Sequence, residues 1–155
     1  MTPPVPAASP ALHAYDYALV RVVPHAHTGD AETVGVALHA RRARVFTLLF
    51  ADAPGALAAR LAARWPGLDA GLLARALAGM AEVAAGRGGP LGLLPPSERF
   101  HWLVATRSTV VQAGPVRTGV AADPAAEARR IAAALPAALP AAISGAGDLP
   151  TPRGV

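Results

Sequence analysis

The chain predicts an α+β fold: a small antiparallel sheet of about four to five strands packed against three to four helices. Three observations carry that expectation. Strand-like runs crowd the first third, helical periodicities with proline and glycine stops follow, and a pair of extended segments returns late, before a last helix.

Residues 15–23, YDYALVRVV, are aromatic and β-branched and run into Pro24, which has no N–H to donate to a ladder. Alternation puts Tyr15, Tyr17, Leu19, Arg21 and Val23 on one face, and Asp16, Ala18, Val20 and Val22 on the other. Arg21 is then a charge in mid-strand. A carboxylate partner, Asp30 or Glu32, is favoured for it over an anion-binding role. Residues 33–39 and 44–51 are two further strands, and the link 40–43 is short enough for an antiparallel hairpin.

Asp52 followed by Pro54 predicts a capped helix whose Leu57, Leu61 and Trp65 share a face until Pro66-Gly67 stops it. A second helix is expected from Asp69, with Leu72, Leu73, Ala76, Leu77, Met80 and Val83 as its apolar stripe and Gly86 at its end. Residues 86–92, GRGGPLG, lack both the preceding strand and the Gly-Lys-Ser/Thr ending of a phosphate loop, so they are taken as a connection. Ser97 is expected to cap a short helix carrying Phe100, Leu103 and Val104. Residues 108–112 then form a strand, Gly114-Pro115 a turn, and residues 116–120 another extended segment. Asp123-Pro124 opens the last helix, with Ile131 and Leu135 inward.

These elements fill one domain over residues 13–140. Residues 1–12 and 141–155 are rich in proline, alanine and glycine, cannot offset the entropy of ordering, and are expected to be flexible tails. Of the 155 residues, 53% are apolar and 15% charged, as in folded proteins. About half of the apolar residues are alanine, so the core must lean on relatively few Leu, Val, Ile, Phe, Trp and Met side chains.

All fourteen basic residues are arginine, which inflates the pI to about 11.0 although the net charge is only +4. The arginines are scattered rather than gathered on one helix, so nucleic acid is not the expected partner. The absence of cysteine removes disulfides, thiolate zinc sites and cysteine nucleophiles and suits a reducing, cytoplasmic setting. No apolar run is long enough to cross a bilayer, and no membrane partner is expected.

Polar chemistry concentrates in residues 95–119, PPSERFHWLVATRSTVVQAGPVRTG. The candidate binding residues are Arg99, Trp102, Arg107, Ser108, Thr109, Gln112 and Thr118 there, with Arg21 from the first strand. Arg107, Ser108 and Thr109 have the donors of an anion clamp. A nucleophilic role for Ser108 or Thr109, with His101 as base, has no nucleophile-elbow glycines to support it, and no catalytic residue is assigned. His25 and His27 lack an evident third ligand, so neither a metal nor a cofactor is expected.

The words YDYALVRVVP, TVGVALHARRARVF and ERFHWLVATRSTVVQAGPVRTGV, followed by the Asp-Pro helix start, resemble a bacterial domain-of-unknown-function family, DUF3037. The resemblance spans about residues 14–139. It implies a small intracellular bacterial domain without an assigned activity, and an accessory role beside HipA-like kinases. The family pattern has asparagine, proline and histidine where this chain has Thr33, Thr106 and Arg117, so no general base carries over at position 117. The expected function is a non-catalytic binding or regulatory partner of another protein. The alternative is a small enzyme or phosphate-ligand binder using the Arg/Ser/Thr clamp.

Overall fold

The computed structural model describes residues 2–5, 9–105 and 110–135. Among the described residues five strands form one antiparallel sheet: β1 (His13–His25), β2 (Asp30–Ala40), β3 (Val45–Phe50), β4 (Val111–Ala113) and β5 (Arg117–Ala121). Four α-helices accompany it: α1 (Pro54–Arg64), α2 (Ala70–Ala84), α3 (Pro96–Val104) and α4 (Pro124–Ala133). The fold is therefore α+β.

Strand β1 is the spine. It pairs with β2 along one edge, while its other edge takes β4 at Val20, Arg21 and Val22 and β5 from His13 to Tyr17. The Gly114-Pro115 turn expected from the sequence is corrected here. Both late strands run antiparallel to the same β1, so the chain does not reverse. It makes a bulge, with the five residues from Ala113 to Arg117 lying against only four from Val20 to Tyr17. Gly114 donates to the Leu19 carbonyl at 2.8 Å, and Pro115, which has nothing to donate, sits where the ladder is interrupted.

Period-two alternation gives the sheet two apolar faces. Val20, Val22, Val34 and Val111 pack with Leu57, Ala58 and Leu61 of α1 and Leu73 and Leu77 of α2. On the opposite face Tyr15, Leu38 and Ala40 meet Ala128 of α4. Close approaches within the sheet require glycine at positions 35 and 119. A Cβ on Gly35 would lie 2.6 Å from the Phe50 ring across the pair, and one on Gly119 would lie 2.5 Å from the ring of Tyr15.

Helix ends follow local chemistry where a capping side chain is in reach. Asp69 accepts from the Leu72 N–H at 2.9 Å, and Asp123 from the Ala126 N–H at 3.0 Å. After α2, Gly86 adopts φ +80°, with Gly86 N–H bonded to Val83 O and Arg87 N–H to Glu82 O. That is a Schellman ending at a position where only glycine is unstrained. Two expected caps are corrected. Ala53 rather than Asp52 precedes α1, and Pro95 rather than Ser97 precedes α3; neither cap residue makes a side-chain capping bond. A proline in the first turn presets φ and lacks an orphan N–H, which lessens the need for a capping side chain.

The strand pairing also corrects the partner of Arg21. Glu32 lies opposite Val22, on the α1 side of the sheet, where its carboxylate is 7% exposed and held by Arg60 and Arg64. Asp30 is bonded to Thr28 instead. Arg21 is exposed and forms no ion pair among the described residues. Among the described residues no helix is long and apolar enough to cross a membrane.

Candidate functional site: an apolar groove walled by α2 and α3

Helix α2 has a wider apolar arc than the sheet can cover. Leu73, Leu77 and Val83 are buried, whereas Leu72 is 58% exposed, Ala76 is exposed and Met80 is half-buried. Positions 72, 76 and 80 recur every four residues and form a continuous apolar line beside the buried stripe. Facing this line are Trp102 of α3, Leu91 of the 3-10 turn Gly89–Leu93, and Pro24 and Val110 at the end of the β1–β4 pair. They enclose a groove of about 900 Å³.

The walls are set by Arg99. The last turn of α2 has no basic residue of its own, so its terminal carbonyls need donors from elsewhere. Arg99 of α3 supplies them, from Nη1 to Val83 O at 3.2 Å and Ala84 O at 2.7 Å, while Nε bonds Leu94 O at 2.9 Å. The guanidinium also sits 5.1 Å from the Phe46 ring centroid. One side chain thereby fastens α2, α3 and the sheet together.

The rim is polar, with His25, Asp69, Arg75 and Glu82. Two of these are already engaged. Asp69 caps α2, and Glu82 receives two 2.9 Å bonds from Arg87, whose guanidinium holds the Glu82 carboxyl below its usual pKa. Arg75 forms no ion pair among the described residues, so the rim offers a ligand one unengaged guanidinium beside the Asp69 carboxylate.

The sequence-predicted residues do not gather at one place. Trp102 lines the groove and Arg99 holds its frame. Arg21 lies opposite Gln112 on the sheet face that also carries Tyr15 and Tyr17, while Thr118 lies opposite Asp16 on the reverse face. Arg107, Ser108 and Thr109 lie outside the described residues. His101 directs Nδ1 to the Ser97 carbonyl at 2.7 Å. The rings of His25 and His27 lie 5.9 Å apart, and no group of three His, Cys, Asp or Glu side chains among the described residues is placed to hold a metal. Leu72, Met80, Leu91 and Val110 were not anticipated as site residues. For Leu72 and Met80 the signal is the breadth of the α2 stripe, six apolar positions where a narrow stripe suffices for one sheet face.

A family model described as "Protein of unknown function (DUF3037)" matches residues 17–135, well over half of the chain. No curated protein and no solved structure matches it.

Proposed function

We propose, from the premise that the chain belongs to the DUF3037 family, that it is a non-catalytic binding module receiving an apolar segment of a partner protein in the groove between α2 and α3. The observation that supports this most is the uncovered line Leu72, Ala76 and Met80 facing Trp102 and Val110. A monomer that leaves such a line in water gives up burial that a partner restores, at about 25 cal/mol per Å² of apolar area. An amphipathic helix laid along the groove would use side chains at intervals of three and four residues. Its flank should carry an acidic residue to meet Arg75, which lines the rim and forms no ion pair among the described residues.

A HipA-like kinase, the partner implied by the resemblance, is the first to test by co-purification. Leu72→Glu changes a half-exposed side chain, so the fold should persist. It should reduce capture by about tenfold or more, and Arg75→Glu should weaken capture through the on-rate. Arg21→Ala, on the other face of the sheet, should have no effect. Undiminished capture by folded Leu72→Glu would remove the groove from the interaction.

A further inference from the structure

The turn joining β2 to β3 is Arg41-Arg42-Ala43-Arg44, three guanidinium groups in four residues. We propose that this hairpin tip is a binding site for a small phosphate monoester, held between Arg41 and Arg44. The site is distinct from the groove of α2 and α3 and does not rest on the function proposed for it.

Elsewhere five of the nine described arginines have partners. Arg60 and Arg64 hold Glu32, Arg87 holds Glu82, Arg130 holds Glu127, and Arg99 is bonded to main-chain carbonyls. Arg41, Arg42 and Arg44 have no carboxylate partner among the described residues, although they crowd one turn where like charges repel.

The backbone adds a second cost. Arg44 has φ +55°, the left-handed region, and is the single non-glycine residue there among those described. Glycine or asparagine would occupy that position with less strain, so an arginine there runs against local preference. Strain of this kind points to use of the side chain.

A cleft of about 430 Å³ separates the tip from the residues that begin α3. Arg41 and Arg44 line it together with His39, Phe46 and Ser97, and no carboxylate is among its lining residues. Two guanidinium forks can bind the phosphate oxygens with paired hydrogen bonds, the Ser97 hydroxyl is a further polar group of the cleft, and Phe46 offers a flat apolar wall to the esterified group. The cleft volume suits a single small ligand. A nucleic-acid strand would need a track of cations, but Arg21 belongs to a different sheet face and Arg75 to the rim of the other groove.

The test uses the full chain titrated with glycerol 3-phosphate and, in parallel, inorganic phosphate, with sodium chloride matched for ionic strength. Binding is read by thermal shift and by the Nε–H signals of the arginines in NMR spectra. The expected result is a saturable response at Arg41 and Arg44 with both phosphates and none with chloride. The double variant Arg41→Gln, Arg44→Asn should lose at least tenfold in affinity. Asparagine tolerates the left-handed conformation, so the variant should melt no lower than the parent without ligand. An equal response to chloride, or unchanged affinity in the folded double variant, would overturn the proposal. So would binding of a single-stranded RNA with no saturation by the monoester.

Discussion

The two ends of β2 treat arginine in opposite ways. At its start, buried Glu32 draws Arg60 and Arg64 of α1 onto one carboxylate, and Arg64 also lies 4.4 Å over the Trp65 ring. At its other end the strand runs into Arg41, Arg42 and Arg44, which no carboxylate neutralises among the described residues. Residue type alone does not distinguish the two groups. A guanidinium whose surroundings already satisfy it belongs to the fold, and one left without a counter-charge in a cleft is available to a ligand.

The largest effect is expected where an arginine serves only the fold. Arg99→Met keeps the stem of the side chain but removes three hydrogen bonds, leaving the Ala84 and Leu94 carbonyls without the Arg99 donor and Val83 with main-chain N–H donors alone. Chemical denaturation should register a loss of about 2–3 kcal/mol, at roughly 1 kcal/mol for each hydrogen bond. Capture of a groove partner should fall with it, because the angle between α2 and α3 is no longer held. If stability is unchanged, Arg99 is not the fastening described here.

A smaller loss is expected at the first end of β2. Glu32→Gln retains the shape but removes the charge that two guanidinium groups share, and both arginines can swing into water because they are about half exposed. A decrease of about 1–2 kcal/mol should follow, below the cost of breaking a fully buried pair. Phosphate binding at the hairpin tip should be unaffected. A change there would mean the two ends of the strand are coupled.

A change of pH moves stability least, through a histidine at the hairpin end of β2. The His39 imidazole is pushed below its ordinary pKa, first by burial and then by His101 and Arg41, with Asp16 opposing. The unfolded chain therefore binds the proton more readily than the folded one. Stability contributed by neutral His39 is complete above about pH 6.5, the ordinary imidazole value, and declines as pH falls through that value toward the folded pKa. Melting temperatures between pH 7.5 and 5.5 should fall less steeply for His39→Gln. Parallel slopes would show that His39 does not report on the charge at this end of the sheet.

Local chemistry was legible wherever a few neighbouring residues carry the cause. Asp69 and Asp123 cap helices because the side chain and the N–H it accepts from lie three residues apart. Gly86 ends α2 because its backbone alone takes φ +80° without strain. The candidate site was legible only in part. Of the candidate binding residues, Trp102 lines the groove, whereas the donors of Arg99 go to the main chain. Leu72 belongs to the apolar stripe that periodicity predicts, but it is 58% exposed.

The alternation of YDYALVRVV, the spacing of the α2 stripe and the proline-started helices follow from steric and hydrogen-bonding rules acting over a few residues, and any chain with these words would make these elements. Long-range packing decided the rest. Whether Gly114-Pro115 reverses the chain or bulges along β1, which carboxylate Arg60 meets 28 residues away, and which edge of α2 stays bare all depend on groups distant in sequence. Such contacts leave no mark in local propensity, because their energy exists only once the sheet has brought both partners together.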